Sequence, residues 1–410
     1  MPASCYAGKV KKFSLAEYKW HILLGLTVVA IVLGVWARAY NLGYPNKQVF
    51  DEVYFPVFAN NYLHRIPVFD VHPPLGKFFI AVGIALFGNI PFGWRILPLL
   101  FGIANIWLMA AIWWALFKDK VGAAIMAFLI AIDGIFIIYS RTGLMDGILF
   151  FFIFFSFYLM VKLKPTTPII WVATVLGLTA SMKWVGLAIL VPVAYLSLRR
   201  KRWGEFLFCL PWAAFVYMAV VVAGEVLNGS ADPITTGWLW NAQAWNYHVN
   251  LTATHPYSSP WWSWPFLEKP VLFLYDVRPD GLVNAMTTRG NTFVWWASSL
   301  IVLMSLGYIL VRKFREKQAV ADHPLTLFLI GYAACLLPFI PIHRILFIYH
   351  YIPAYGFALL MLTYWLVEAW KKYWWFVIIF LLIAFVVSIL FFPLAVGWWP
   401  ISQKWALMSV

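Results

Sequence analysis

Two adjacent carboxylates, Asp51 and Glu52, directly follow an apolar run that is long enough to cross a bilayer. Ionisable groups at such a position are costly beside lipid and are functional by default. Asp51 has the chemistry of a general base, which takes a proton from a reacting hydroxyl group. The alternatives for Asp51 are a structural or metal-binding carboxylate, or simply an acid in a solvated loop. Glu52 could orient a substrate, raise the pKa of Asp51 through like charge, or cap a helix that begins at Val53.

Three cations further along the chain could bind a phosphate. An arginine matches phosphate with two parallel hydrogen bonds, whereas a lysine acts as a point charge. Lys183 interrupts an apolar stretch, so it needs an anion, water, or an extended side chain that reaches the membrane surface. Arg95 could instead anchor the span that it begins, and Arg141 could pair with Asp146 in one short loop. The remaining polar candidates for the site are His72, Lys77, Asp146, His255, Tyr257, Arg344 and His350.

The sequence does not favour a metal or redox centre. The three cysteines form no C-x-x-C pair, and no H-x-x-H motif is present. Asp51, Glu52 and Asp146 could together supply an oxygen site for a divalent ion. We expect no cofactor, with a divalent metal as the less favoured alternative. For His72 and His350 we expect structural hydrogen bonds rather than proton transfer.

Composition indicates a polytopic membrane protein. Of the 410 residues, 63% are hydrophobic and 11% are charged, and the mean hydropathy is +0.81. The net charge of +14 could indicate a nucleic-acid partner, but that partner requires a basic face on a soluble fold. Here Lys and Arg occur in short clusters between apolar runs, as the positive-inside rule predicts. We therefore expect a lipid bilayer, and no nucleic acid, as a partner.

The apolar runs predict an all-α protein with eleven membrane spans. Two of the spans are short helices within residues 168–198, which meet in a tight hairpin near Lys183. Residues 75–90 are apolar but short, so we expect a re-entrant or interfacial helix within a first outer loop, 38–94. The other nine spans are predicted at 20–37, 95–117, 121–139, 145–161, 206–226, 293–311, 323–341, 345–366 and 374–396.

Charge predicts the orientation of these spans. If 75–90 does not cross, more than half of the 30 Lys and Arg residues lie on the side of the N-terminus, which is then inside. We expect the candidate site residues at the opposite, outer surface, except His350, which lies within the span predicted at 345–366. Lys9, Lys11 and Lys12 precede the first run without a cleavage-site pattern, so we expect an uncleaved first span.

Three parts follow from this topology. Residues 1–226 form a seven-span catalytic module, 227–292 form a long aromatic outer loop, and 293–410 form a four-span module. In the outer loop, the segment from Trp238 to Val249 fits an amphipathic interfacial helix only roughly. His255 and Tyr257 lie further on, in a turn framed by prolines.

Motifs along most of the chain resemble those of the protein O-mannosyltransferases, a family of type C glycosyltransferases. Their combination and order are more specific than any single motif. They are Asp51-Glu52, the H-P-P-L-G-K run from His72, Ser140-Arg141 with Asp146, M-K-W-V-G around Lys183, H-P-Y-S-S from His255, and Tyr349-His350-Tyr351.

The resemblance implies an inverting transfer of mannose from a polyprenyl or dolichyl phosphate to Ser or Thr of a translocated protein, which could occur at the translocon. Asp51 matches the family's proposed base, Arg95 in W-R-I-L-P matches an important arginine, and the chemistry resembles a metal-independent design. Eukaryotic members insert a β-trefoil MIR domain into the long outer loop, for which 227–292 is too short. We therefore expect a minimal, prokaryotic plasma-membrane form with an extracytoplasmic site, whose acceptors and pairing into dimers stay open.

Two other functions remain as alternatives. One is a type C glycosyltransferase that modifies a lipid or glycan, as an aminoarabinose transferase does. The other is a lipid or solute transporter without chemistry, which should carry its ionisable residues near the middle of the bilayer on broken helices. In this sequence they cluster at one face, with Asp133 and His350 as partial exceptions.

Overall fold

The computed structural model describes residues 15–409. It is 73% helix and 4% strand, which confirms the predicted helical membrane fold and adds a small sheet that was not predicted. Lys9, Lys11 and Lys12, on which the predicted inside orientation partly depends, lie outside the described residues.

The helices follow one another along the chain with short connections. Four 3-10 turns matter below: Phe50–Val53, Trp184–Ile189, Trp261–Phe266 and Ile348–Tyr351. The α-helices are α1 (Leu15–Ala39), α2 (Phe55–Leu63), α3 (Leu75–Phe87), α4 (Pro91–Phe117), α5 (Lys120–Ile132), α6 (Gly134–Arg141), α7 (Asp146–Lys162), α8 (Ile170–Ala180), α9 (Leu190–Arg199), α10 (Trp203–Leu227), α11 (Pro233–Asn250), α12 (Thr292–Leu310), α13 (Pro324–Leu336), α14 (Ile352–Val396) and α15 (Gln403–Met408).

Within the described range, five helical segments are long and apolar enough to cross a membrane, or six if α5 and α6 count as one bent span. They are Glu17–Ala39, Pro91–Phe117, Trp203–Leu227, Thr292–Arg315 and Ile348–Val396. The last of these is broken by the non-helical backbone of Tyr373, which lies between the spans predicted at 345–366 and 374–396. The predicted number of eleven spans stays a prediction.

The region around Lys183 matches its prediction. Helix α8 ends at Ala180 and the next helical turn begins at Trp184, so Lys183 lies at the apex of a hairpin of short helices. Helix α3 has 13 residues, which is about 20 Å of helix at 1.5 Å per residue. The hydrocarbon core of a bilayer is about 30 Å thick, so α3 is too short to cross it upright.

The span predicted at 121–139 is not straight, because α5 and α6 meet at an angle of 59° at Asp133. The Asp133 carboxylate caps α6 by accepting a hydrogen bond from the Ile135 N–H at 3.1 Å. It also accepts from the Asn291 N–H at 3.1 Å and the Tyr355 hydroxyl at 2.6 Å. Asp133 therefore joins three helices at the bend.

Residues 227–292 contain more regular structure than the predicted outer loop. They begin with α11, which extends the predicted interfacial helix in both directions, and end with a hairpin of β1 (Leu272–Val277) and β2 (Leu282–Thr287). The hairpin turns at Gly281, whose φ of +80° suits glycine. A short strand near the C-terminus, β3 (Ile401–Ser402), pairs antiparallel with β2 and completes the sheet.

In the main core, α4 packs against α5 and α7, and α14 packs against α5, α6, α12 and α13. Every residue from Ile352 to Thr363 is buried there. Gly356 allows the closest approach, since a Cβ at this position would lie 2.4 Å from the Phe154 ring. This packing holds the 3-10 turn Ile348–Tyr351, which ends directly before α14.

Candidate active site

Two buried arginines hold the end of α1 and the loop that follows it. Arg141, the last residue of α6, donates only to main-chain carbonyls, which are those of Ala37, Arg38, Tyr40 and Asn41 at 2.6–3.2 Å. Arg95 on α4 donates to the carbonyls of Leu42, Pro45 and Lys47 at 3.0–3.2 Å. The two guanidinium groups therefore determine the path of the chain from α1 toward Asp51.

Glu52 closes this arrangement. Its carboxylate is fully buried and accepts from Arg95 Nε at 2.8 Å and from Arg95 Nη2 at 2.7 Å. It also accepts from the N–H groups of Gly143 at 2.5 Å and Val49 at 3.0 Å. A carboxylate with all of these partners is inaccessible to a substrate, so Glu52 is not placed to orient one.

We call Glu52, Arg95 and Arg141 the scaffold cluster. Their contacts differ from the prediction that Arg95 and Arg141 bind the phosphate, because both guanidinium groups are buried and hydrogen-bonded to protein. Arg141 also forms no pair with Asp146 within the described residues, since Asp146 pairs with Lys183. The geometry therefore assigns these two arginines a structural role.

Asp51, the neighbour of Glu52, is in a different state. Its side chain is half-buried, and it forms no hydrogen bond or ion pair with the part of the chain that the structure describes. Burial raises the pKa of Asp51 to about 7; Lys183 lowers it, while Asp146 and Asp70 raise it. Glu52 is not among these causes, as expected for a carboxylate neutralised by Arg95. The predicted like-charge effect thus comes from Asp146 and Asp70 instead.

Lys183 and Asp146 have the largest electrostatic effects of any charged residues on the pKa of Asp51, and they form an ion pair with each other. Lys183 Nζ lies 2.9 and 3.0 Å from the two carboxylate oxygens of Asp146, which begins α7. Aromatic faces surround the same ammonium group, with ring centroids at 5.3 Å for Tyr349 and 5.7 Å for Phe55. Such faces stabilise a desolvated cation. Lys183 is therefore held in place at the hairpin apex and does not extend into lipid.

A cavity of about 740 Å³ opens beside Lys183. It lies between the C-terminal end of α11 and the segment 338–344 that follows α13. We call it the basic cavity, because the charged or titratable side chains that line it are basic: His72, Lys183, His248, His343, Arg344 and His350.

Arg344 is the cation of this cavity with free hydrogen-bonding capacity. Its one hydrogen bond within the described residues is a long contact of 3.4 Å to the adjacent Ile345 carbonyl, and no acid pairs with it there. His248 and His72 add little charge, since burial lowers the pKa of His248 and lowers that of His72 well below its usual value. An anion in the cavity would therefore meet Arg344 and Lys183 first.

Lys77 supports the cavity wall without lining it. It is fully buried, forms an ion pair with Asp70, and donates to the His72 carbonyl at 2.7 Å. The indole of Trp240 donates to the Asp70 carbonyl at 2.9 Å. Lys77 thus positions His72, and the expectation of a structural histidine agrees with this geometry.

The remaining candidates are His350, His255 and Tyr257. The His350 ring stacks on Trp264 with centroids 5.9 Å apart and lines the cavity. His350 precedes α14 and lies in a 3-10 turn, not within the helix as the predicted span 345–366 implied. His255 accepts from the Tyr257 N–H at 3.2 Å and packs on Phe347, so these two residues shape the neighbouring loop.

No group of three or more His, Cys, Asp or Glu side chains among residues 15–409 is arranged to hold a metal ion. The oxygen site considered for Asp51, Glu52 and Asp146 is not assembled, because Glu52 pairs with Arg95 and Asp146 pairs with Lys183.

Sequence comparison divides the chain between two models of a single family. Residues 28–94 and 89–223 match the model described as dolichyl-phosphate-mannose-protein mannosyltransferase. Residues 234–409 match the C-terminal four-transmembrane region of protein O-mannosyltransferase. The chain belongs to the protein O-mannosyltransferase family.

Curated relatives agree with this assignment. The polyprenol-phosphate-mannose–protein mannosyltransferase of Mycobacterium tuberculosis is 24% identical over 399 residues, which cover 76% of this chain and 74% of the relative. The enzyme of the same name from Mycolicibacterium smegmatis is 25% identical over 397 residues, covering 76% and 75%.

Solved structures show the same fold. The Saccharomyces cerevisiae Pmt1–Pmt2 complex bound to the sugar donor matches with a TM-score of 0.78 at 15% identity, over 94% of this chain and 91% of the matched chain. ArnT from Cupriavidus metallidurans matches with a TM-score of 0.56 at 14% identity, over 87% and 62%. The type C glycosyltransferase fold is therefore confirmed.

Several residues of this mannosyltransferase site had no signal in the sequence. Asp70 and His248 occupy ordinary positions, yet Asp70 pairs with Lys77, and His248 contacts the Val71 carbonyl at 3.1 Å. His343 lies next to Arg344 and was not among the predicted site residues. A search for polar side chains at the ends of apolar runs would have found His343, but not Asp70.

Proposed function

We propose that this chain transfers mannose, with inversion, from a polyprenyl-phosphate-mannose donor to Ser and Thr hydroxyls of proteins. Family membership makes the chain a protein mannosyltransferase, and the named bacterial relatives support the polyprenyl carrier. The observation that carries the site assignment is the unpaired Asp51 carboxyl, whose pKa burial raises to about 7 and which interacts electrostatically with Lys183, a cation that lines the basic cavity.

Asp51 is the general base of the proposed mechanism. It takes the proton of the acceptor hydroxyl while the hydroxyl oxygen attacks the anomeric carbon of mannose. The bond from that carbon to the phosphate oxygen breaks, and the lipid phosphate leaves on the opposite face of the sugar. A base with a pKa near the working pH serves this step best, because it is both deprotonated and basic enough.

Lys183 and Arg344 stabilise the leaving phosphate. Both cations line the basic cavity, and charge on the departing oxygen increases as the bond breaks. Preorganised cations at such a position lower the barrier because they need no reorganisation during the reaction. Asp146 keeps Lys183 in place but also neutralises part of its charge, so Arg344 supplies the less compensated charge.

An apolar groove next to the basic cavity suits the isoprenoid chain of the donor. It has a volume of about 550 Å³ and lies between the α8–α9 hairpin, α10 and α11. Trp184 and Trp245 line both the groove and the basic cavity, so the two spaces adjoin at these residues. The lipid would thus enter sideways from the bilayer, with its phosphate at Lys183.

We propose that the reaction takes place at the extracytoplasmic face of a prokaryotic plasma membrane. There the enzyme could bind acceptor proteins as they leave the translocon. The clustering of the site residues at one end of the helices and the charge pattern of the loops support this side. We also propose that no metal takes part, since the acids that could bind one are already paired. Activity should survive a chelator, and stimulation by Mn²⁺ after chelation would contradict this proposal.

The testing experiment incubates purified protein with radiolabelled polyprenyl-phosphate-mannose and a Ser/Thr-rich peptide. The wild type should label the peptide, and Asp51→Asn should lower kcat by about 10²–10⁴ because the carboxamide cannot accept the proton. Donor affinity should change little. A fully active Asp51→Asn variant would refute the assignment of the base, and label that appears in lipid or glycan instead of peptide would refute the acceptor.

A further inference from the structure

The small sheet has the order β1-β2-β3, so β1 is one edge strand and the two-residue β3 is the other. On one side β3 pairs with β2, through Leu282 with Ser402 and Val283 with Ile401. On the other side, the main-chain groups of β1 that point away from β2 form no hydrogen bond with any residue that the structure describes. Proteins normally protect such an edge with lysine, proline or a covering element. The six residues of β1, LFLYDV, contain neither residue.

The open strand lies beside the loop that carries Asp51. The Phe50 ring stacks on the Phe273 ring of β1, with centroids 4.7 Å apart and planes within 10°. Lys47 Nζ lies 2.6 Å from the Asp276 carboxylate, also on β1. The proposed base and the unpaired edge are therefore parts of one local unit.

We propose that the acceptor polypeptide binds as an additional antiparallel or parallel strand along the open edge of β1, with its Ser or Thr hydroxyl directed to Asp51. This inference rests on the proposed function. Strand addition uses main-chain hydrogen bonds for affinity and is therefore tolerant of the acceptor's sequence. A transferase that needs only a hydroxyl group benefits from recognition of this kind.

The geometry also predicts the register. An added strand lies about 4.8 Å from β1, and successive residues advance by about 3.3 Å. Because Phe50 stacks on Phe273, the reacting hydroxyl should lie opposite the Phe273 end of β1. Residues on one side of the reacting Ser or Thr then extend toward Val277, which is 61% exposed.

A backbone N-methyl scan of one acceptor peptide tests this inference without changing the enzyme. Each peptide carries a single N-methyl group at one position within four residues of the reacting Ser. Methylation at alternate positions removes a main-chain hydrogen bond to β1. The loss of one such bond should raise KM about two- to tenfold. Methylation at the intervening positions should have little effect. The control peptides are methylated beyond the fourth residue.

The scan separates the two levels of the proposal. If the unmethylated peptide is labelled but KM shows no alternation, the added strand is refuted while the mannosyltransferase function stands. If the unmethylated peptide is not labelled at all, the proposed function fails and this inference fails with it.

Disulfide trapping gives a second, independent measurement. Val277→Cys and Leu282→Cys each place a thiol on an exposed position, one on the open strand and one on the strand that β3 covers. A peptide with Cys about four residues from its Ser should be trapped by Val277→Cys and not by Leu282→Cys. Equal trapping by both variants, or trapping by Leu282→Cys alone, would overturn the proposal. The parent protein supplies the background.

Discussion

The scaffold cluster and the basic cavity both contain buried cations, but they differ in how many partners those cations have. In the scaffold cluster, Arg95 makes five hydrogen bonds to Glu52 and to three carbonyls. In the basic cavity, Arg344 has one weak contact to a neighbouring carbonyl. One region stabilises the chain, and the other is open to a ligand.

This difference shows how to interpret a basic residue in a membrane enzyme. A buried arginine whose donors are all paired cannot also bind a phosphate without breaking that network, which costs several kcal/mol when a buried charge is left unpaired. A cation with unused donors beside a cavity has no such cost. Unused donors therefore distinguish Arg344 from Arg95, whereas residue type does not.

The largest expected effect is on the scaffold cluster. Arg95→Met leaves the Glu52 carboxylate buried and unpaired, so the free energy of unfolding should fall by about 3–5 kcal/mol. Thermal unfolding of both proteins in detergent measures this loss of stability. The double variant Glu52→Gln with Arg95→Met should recover part of the loss, because no buried charge remains.

The matched control is Arg278→Met, which removes an exposed ion pair with Asp280 and should leave the melting temperature unchanged. If Arg95→Met folded as stably as the wild type but lost donor affinity, the assignment of the scaffold cluster would be wrong and Arg95 would be a phosphate ligand.

An intermediate effect is expected in the basic cavity. Arg344→Ala should weaken donor use about ten- to a hundredfold in kcat/KM, as expected for the loss of a charge-assisted contact of about 1.5–3 kcal/mol. Its melting temperature should stay near that of the wild type, and Arg344→Lys should recover part of the activity.

Arg141→Met should show the reverse pattern of Arg344→Ala, with lower stability and an unchanged donor KM among the molecules that fold. Normal donor kinetics in Arg344→Ala would place the phosphate elsewhere.

The smallest effect concerns the pKa of Asp51, and its sign can be worked out from the neighbouring charges. Lys183 lowers this pKa and Asp146 raises it. Asp146→Asn should therefore shift the acidic limb of the pH–rate profile to lower pH, and Lys183→Met should shift it to higher pH. The position of the limb is independent of the overall loss of activity. Shifts in the same direction for both variants would contradict this electrostatic arrangement.

The sequence was sufficient for the parts of the fold that depend on local hydrophobicity. The hairpin around Lys183 and the short helix α3 were predicted because run length and a single interrupting charge determine them. The β1–β2 hairpin was missed because its residues are apolar in a chain that is apolar almost everywhere. Its strands are recognisable only through pairing with each other and with β3.

At the site, residue type and order did not predict the division of roles. Arg95 and Arg141 lie at the ends of apolar runs and Lys183 interrupts one, so their positions in the sequence do not distinguish their roles. Their partners come from segments up to 104 residues away, as in the contact of Arg141 with the Ala37 carbonyl. Only the folded chain shows that Glu52 is paired with Arg95 and that its neighbour Asp51 is left free.

The central claim is that Asp51 acts as a base because it is the unpaired member of the Asp51–Glu52 pair. The pH dependence of kcat/KM tests this most directly. Since the base must be deprotonated, activity should fall as the pH decreases through about 7, the pKa to which burial raises Asp51. The residual activity of Asp51→Asn should lack this limb. An acidic limb near pH 4 in the wild type, or a limb near pH 7 that persists in Asp51→Asn, would contradict the claim.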